Sequence, residues 1–303
     1  MLEIEKFHSN VWVIMSEIVV AIDNNVVAPL CVLLNSLRIQ NPHSAFKIHV
    51  LQSDLSAHNR QTLLDHAANL KLPINMVNVD AEPLVRVFGR MNSGHVSHVS
   101  LFRCMIGSLL DETITKVLYL DIDTLVLGSI VPIFNIDLGG NIVAVVREEQ
   151  TYLAEFGVKP QDYFNTGVML IDLKKWRSEN VEARLMEILN RYPEKLQWWD
   201  QSALNIALKG KTLSMNRRYN YIESRPKTGE KIIIPTILHF AGSCKPWIEP
   251  DSHAWGAAYC NASIDTPWTV DYLARGRADA AAYRKKNWFH RSLVRFGRKL
   301  SRI

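Results

Sequence analysis

The stretch KVLYLDIDTLVLGSI, Lys116 to Ile130, constrains the fold more than any other part of this chain. Val117, Leu118, Tyr119 and Leu120 form a continuous apolar run with no polar residue to turn toward water. A strand here is therefore covered on both faces, as in the interior of a parallel sheet flanked by helices. Two carboxylates, Asp121 and Asp123, follow at i and i+2, where this buried strand meets solvent. Like charges at the rim of an apolar core are costly unless a cation neutralises them. Hard oxygen ligands at that spacing suit Mg²⁺ or Mn²⁺, ions that keep coordination positions open for phosphate oxygens.

A second short apolar strand opens ILHFAGSCKPW, Ile237 to Trp247, and ends at His239, with Gly242 and Lys245 just beyond. Imidazole accepts Mn²⁺, glycine lets backbone approach a ligand closely, and lysine offers charge to a phosphate. Singly these features carry little, since acidic pairs often cap turns and a lone histidine is often a core residue. Together, at two strand ends, they predict a metal-bridged diphosphate site.

The rest of the chain has a matching rhythm. SEIVVAIDNN reads as a first strand ending near Asp23, and VVAPLCVLLNSLRIQNP as a helix closed at Asn41-Pro42. FKIHVLQS is a second strand, Ser56 caps a helix running through His66, and LPINMVNVD is a third strand. This βαβαβ opening predicts a mostly parallel α/β sheet that binds ligands at the carboxyl ends of its strands, where Asp23 and Asp121 both fall. Further on, YFNTGVMLIDLKKWR reads as another buried strand leading into a helix, and Asp200 and Gln201 head the helix DQSALNIALKG. No GxGxxG follows the first strand and no GxxxxGK[ST] occurs, so a bound nucleotide is not held by a glycine turn or P-loop. The metal must then carry more of the diphosphate charge.

The 303 residues are enough for one large domain with an appendage, placed at 1–266 and 267–303. Four scattered cysteines without a CxxC pair argue against a zinc knuckle or disulfide scaffold and fit a reducing compartment. The net charge of +5 is concentrated at one end: Arg275 to Ile303 holds ten Lys/Arg and one Asp, net +9, leaving 25 basic and 29 acidic residues, net −4, in the remainder. Within that tail Phe289, Leu293, Phe296, Leu300 and Ile303 recur at helical steps, while Arg291, Arg295, Arg298, Lys299 and Arg302 fall largely off the stripe. Such a basic amphipathic helix suits an anionic lipid surface, the alternatives being a helix docked on the body or one that binds a partner. No nucleic-acid recognition motif accompanies the charge. The N-terminus has no signal-peptide order, and polar residues interrupt the longest apolar stretches, so the expectation is a cytoplasmic protein held peripherally at the inner face of the cytoplasmic membrane.

The Asp-x-Asp strand end also occurs in haloacid-dehalogenase-like phosphatases, where Asp121 would be nucleophile and Asp123 general acid. That motif normally opens its domain, whereas three strands precede it here, and no later acidic pair completes such a site. Five ordered motifs instead resemble the family 8 retaining glycosyltransferases of GT-A fold, especially the bacterial lipooligosaccharide and lipopolysaccharide galactosyl- and glucosyltransferases: VVAIDNNVVAPLCVLLNSL, VLYLDIDTLVLGSI, YFNTGVMLIDLKKWR, WWDQSALNIAL and HFAGSCKPW. The resemblance implies transfer of a hexose from a UDP-sugar to a saccharide or lipid-linked oligosaccharide. It implies Mn²⁺ (or Mg²⁺) on Asp121, Asp123 and His239, with Ala21, Asp23 and Asn25 lining the uridine and ribose pocket. Gly242 and Lys245 would hold the phosphates and Arg103 would reach the sugar and diphosphate. Asn165, Thr166, Asp200 and Gln201 would surround the donor sugar, with Gln201, or else Asp200 as nucleophile, at the reacting centre. One departure is Val26, where some relatives place an aromatic residue against the uracil. A non-catalytic sugar-nucleotide binder of the same fold would have no reason to keep all three metal ligands.

Overall fold

Seven strands build the central sheet of this computed structural model, in the spatial order Thr212–Ser214, Val143–Arg147, Phe164–Asp172, Lys116–Leu120, Ser16–Ala21, Phe46–Gln52 and Ile74–Asn78. The structure describes residues 4–5, 13–89, 97–151, 153–223 and 233–268. A short antiparallel ladder of β1 (Ile4–Glu5) and β2 (Val13–Ile14) precedes the sheet. The first half is the expected βαβαβ unit: β3 (Ser16–Ala21), α1 (Val27–Gln40), β4 (Phe46–Gln52), α2 (Ala57–Asn69) and β5 (Ile74–Asn78). Ser56 caps α2 by accepting the Asn59 N–H at 3.2 Å, and the helix runs three residues beyond His66. α1 is buried nearly all round, from Val27 to Leu37, because the helix α9 (Gly256–Ser263) covers the side that faces away from the sheet.

α3 (Glu82–Phe88), a 3₁₀ segment His98–Met105 and α4 (Ile106–Leu109) lead into β6 (Lys116–Leu120) at the sheet centre. Alternate residues of the core strands feed two separate cores. Val19, Val117, Tyr119, Met169 and Ile171 face one way, and Ile18, Val20, Leu118, Leu120 and Leu170 face the other. The apolar run was continuous because both faces are covered.

Beyond β6 the chain folds back through β7 (Thr124–Val126), α5 (Val131–Phe134), β8 (Val143–Arg147), β9 (Phe164–Asp172), α6 (Leu173–Ser178), α7 (Val181–Arg191), α8 (Trp199–Ala207) and β10 (Thr212–Ser214). β9 runs antiparallel to both β6 and β8, while the other six strands share one direction. The start of β9 therefore lies beside the carboxyl end of β6, which is how Asn165 and Thr166 come to the same edge as Asp121. The β8–β9 pairing also jumps from Val145↔Met169 to Val146↔Asn165, leaving Thr166, Gly167 and Val168 outside regular register there. Such irregularities re-aim side chains beside functional sites.

A second sheet, β11 (Tyr221–Ile222), β12 (Ile237–His239) and β7, carries the remaining elements. No helix among the described residues is long and apolar enough to cross a membrane. Apart from its first two positions, the basic extension 267–303 lies outside the described residues.

Candidate active site

Backbone pairing assembles the acidic-histidine cluster. Asp121 donates its N–H to Gly167 O at 2.8 Å, continuing the β6–β9 ladder past the end of β6. The chain then turns within three residues, with Thr124 N–H and Oγ1 both donating to Asp121 O at 3.1 and 2.7 Å. The β7 strand that follows pairs with β12 so that His239 faces Thr124, and the Phe240 N–H binds Asp123 O at 2.9 Å. His239 Nε2 consequently lies 3.2 Å from Asp123 Oδ1 and 3.9 Å from Asp121 Oδ2. The donor atoms of all three residues fall within 4.8 Å of one another. Two carboxylates and an imidazole are a donor set that accepts Mn²⁺ or Mg²⁺. Gly167 closes this cluster from below: a Cβ there would sit 2.2 Å from His239 Cε1 and 2.9 Å from Asp121 Oδ2.

Cations already balance these carboxylates. Lys245 Nζ binds Asp123 Oδ2 and, at 3.0 Å, Phe240 O. Burial would raise the Asp123 carboxyl, but Lys245 and His239 outweigh it and hold it well below the usual carboxylate range. Arg103 is buried between Asp121 (Nη2–Oδ1, 2.8 Å) and Asp200 (Nε–Oδ2, 3.0 Å), with its guanidinium carbon 4.6 Å from the centre of the Tyr119 ring. Burial works against the Arg103 cation, but Asp121, Tyr119 and Asp200 overcome it. Burial likewise lifts the Asp200 carboxyl above its usual range, with Arg103 opposing. Asp121 Oδ1 also accepts from Tyr119 OH at 2.9 Å, and its Oδ2 accepts from Arg103 Nη1 at 3.2 Å. A carboxylate clamped at both oxygens is a ligand or counterion rather than the free nucleophile a phosphatase would require.

The cluster lies in a cleft of about 830 Å³. Of the residues singled out in the sequence, Ala21, Asp23, Arg103, Asp121, Asp123, Asn165, Thr166, Asp200, Gln201, His239, Gly242 and Lys245 all line it. Asn25 does not: its backbone N–H donates to Asp23 Oδ1 at 2.8 Å, starting the turn into α1, and its side chain stands exposed. That turn brings Val26 to the cleft wall instead. Asp23 Oδ2 accepts from Ser97 Oγ at 3.1 Å. Asp200 is not the N-cap of α8; it sits in the first turn, behind Trp198 as cap.

Sequence reasoning missed several lining residues. Trp198 and Trp199 form an edge-to-face pair at 6.2 Å, and Trp199 has φ +42°, a backbone conformation uncommon for a bulky residue. The doubled tryptophan ahead of Asp200 was the available signal. Tyr163 and Ile222 had none, since their positions depend on the β9 bulge and on the β11–β12 pairing.

The loop bearing Gly242 and Lys245 is tied down at its far end. Glu223, just past β11, binds His253 Nδ1 and accepts the Trp255 N–H at 2.8 Å. Burial alone would lower the His253 imidazole, but Cys244 and Glu223 together raise it to about 9. A raised folded-state value adds stability that is fully present below the ordinary value of 6.5 and is lost as pH rises through about 9. Denaturant unfolding should show stability falling by about 3 kcal/mol at most across that window, and His253→Gln should flatten the dependence. An unchanged slope in the variant would mean this pair does not anchor the loop.

The pattern of the glycosyl transferase family 8 matches residues 17–250. Among curated proteins the chain is 28% identical to general stress protein A of Bacillus subtilis, over 74% of this chain and 84% of that one. It is 26% identical to the lipopolysaccharide 1,2-glucosyltransferase of Escherichia coli, over 82% and 78% respectively. Among solved structures, the galactosyltransferase LgtC in complex with donor and acceptor sugar analogs superposes with a TM-score of 0.75 at 27% identity, covering 83% of this chain and 96% of that one.

Proposed function

The chain belongs to glycosyl transferase family 8, and on that premise we propose that it moves a galactose or glucose from a UDP-sugar to a saccharide hydroxyl, with retention at the anomeric carbon, in lipooligosaccharide or lipopolysaccharide synthesis. The observation that carries this reading is the convergence of Asp121, Asp123 and His239 with Arg103 and Lys245 in one cleft. Asp121, Asp123 and His239 would hold Mn²⁺ or Mg²⁺, which would supply positive charge to a departing diphosphate. Lys245, now paired with Asp123, offers a second positive charge to the phosphates, and a preorganised cation of this kind lowers the cost of charge that develops during reaction.

Gln201 is fixed at both ends of its amide. Its Nε2 donates to Tyr163 OH at 2.7 Å, and its Oε1 accepts from Asn165 Nδ2 at 3.1 Å and the Thr166 N–H at 3.3 Å. A neutral amide is a poor nucleophile, and Asp200 is engaged by Arg103. These facts favour front-side attack by the acceptor hydroxyl, whose proton passes to the leaving phosphate, over a covalent intermediate on Asp200. The catalytic body is assigned to 1–266. The basic extension 267–303 is assigned to peripheral attachment at the anionic cytoplasmic membrane face, near a lipid-linked acceptor.

Isothermal titration with UDP, UDP-galactose, UDP-glucose and GDP-mannose, with and without Mn²⁺, tests the donor site. Mn²⁺-dependent binding of the uridine compounds, lost in Asp123→Ala, is expected; absence of nucleotide binding would refute the transferase reading. Removing residues 284–303 should release the protein from phosphatidylserine vesicles while sparing transfer to a soluble acceptor. Vesicle binding that survives the truncation would refute the attachment role.

A further inference from the structure

His239 can serve a cation only through the ring nitrogen that faces it, and a chain of buried amides decides which nitrogen that is. His239 Nδ1 lies 2.8 Å from Asn220 Oδ1, and Asn220 Nδ2 lies 2.8 Å from Asn165 Oδ1. Asn165 Oδ1 in turn accepts the Gly167 backbone N–H at 2.9 Å. A backbone N–H can only donate, so the Asn165 atom facing it is the carbonyl oxygen. The Asn220 atom facing that oxygen must then donate and is the amide nitrogen. The opposite end of Asn220 is therefore an oxygen, and Nδ1 of His239 must carry a proton to meet it. Nε2, the nitrogen directed at Asp121 and Asp123, is left as the one that can present a lone pair.

We propose that Asn220 is a positioning residue that holds the His239 proton on Nδ1 and so assigns Nε2 to the cation, taking its own orientation from the Gly167 N–H through Asn165. The proposal rests on the metal reading of the cluster. Asn220 and Asn165 are 2% and 8% exposed, so water does not compete for these groups as it would at a surface. The hydrogen bonds of the Asn220 side chain go to His239 and Asn165 rather than to the carboxylates of the cluster, and nothing in its sequence setting, RRYNYI, marks it for this role. Partners on the far nitrogen of a ligating histidine set the tautomer, and losing one typically costs 10–100-fold in metal affinity. Gln201 joins the same chain through Asn165 Nδ2, which links the metal ligand to the residue at the donor sugar.

The test reads ring nitrogens by ¹⁵N–¹H correlation in metal-free, ¹⁵N-histidine-labelled protein, with His239→Asn to assign the signal, and Mn²⁺ affinity by titration without nucleotide. The wild type should keep Nδ1 protonated. Asn220→Leu should lose that preference and bind Mn²⁺ about 10–100-fold more weakly. Asn220→Asp, which still offers an acceptor to Nδ1 but sets a second oxygen against Asn165 Oδ1, should keep the proton on Nδ1 while recovering only part of the Mn²⁺ affinity. Asn165→Ala should also weaken Mn²⁺ binding, although the Asn165 side chain hydrogen-bonds to Gln201, Gly167 and Asn220 rather than to the three ligands. A bare Nδ1 in the wild type, or wild-type affinity in a folded Asn220→Leu protein, would overturn the proposal. If the wild type itself bound no Mn²⁺, the metal reading would fall, while the metal-free spectrum would still judge the amide chain.

Discussion

Gly167→Ala should reduce Mn²⁺ affinity and transfer by about 10–100-fold while Gly242→Ala leaves Mn²⁺ affinity unchanged. The two glycines differ in what a methyl group would meet. At Gly167 it would lie 2.2 Å from His239 Cε1, 2.7 Å from Nδ1 and 2.9 Å from Asp121 Oδ2. None of these can give way cheaply. His239 is fixed by β12–β7 pairing and by Asn220, and Asp121 by Arg103 and Tyr119. The overpacking should cost about 1–3 kcal/mol of stability, with the displacement falling on the two ligands. At Gly242 a methyl group meets nothing within 4 Å and opens onto the cleft. Its loss should show only in donor affinity, as a nucleotide-dependent defect at unchanged melting temperature. Equal loss of Mn²⁺ binding in the two variants would mean that Gly167 has no special steric role.

This contrast also marks where the sequence stopped being readable. The strands announced themselves because a residue buried on either face must be apolar, and Val117 to Leu120 carries that requirement without interruption. The Asp-x-Asp turn and the His239 strand end were legible because charge at an apolar strand terminus is costly and calls for an explanation. Gly167 was not legible: its constraint comes from a histidine some seventy residues later, brought over it by β12. The direction of β9 was equally hidden, since a buried strand has the same composition whichever way it runs. Asn25 illustrates the converse limit: the family resemblance assigned it to the uridine pocket, yet its backbone N–H turns onto Asp23 and its side chain stands exposed. Asn220 and Tyr163 acquire their partners only through tertiary pairing.

Arg103→Leu should be the most destabilising single change at the site. The guanidinium spans Asp121 and Asp200, and its Nη1 also donates to Thr166 O at 3.1 Å. Removing one partner of a buried ion pair leaves uncompensated charge and typically costs about 3–5 kcal/mol, a fall in melting temperature of roughly 10 °C for a chain of this size. Transfer should fall about 100–1,000-fold as well, because both the ligand Asp121 and the sugar-side Asp200 lose their fixed orientation. Arg103→Lys should recover less than half of either loss: a single ammonium cannot span two carboxylates that the planar fork reaches from different nitrogens. A second substitution separates the two roles. Asp200→Asn in the Arg103→Leu background removes one of the stranded charges without changing shape, so it should restore stability by about 1–2 kcal/mol through non-additivity between contacting residues. It should restore no transfer, since the cation that orders the donor end of the cleft would still be missing. If the double variant were no more stable than Arg103→Leu alone, Arg103 would not be the counterion of Asp200, and the raised carboxyl of Asp200 would have to be balanced from the substrate side of the cleft.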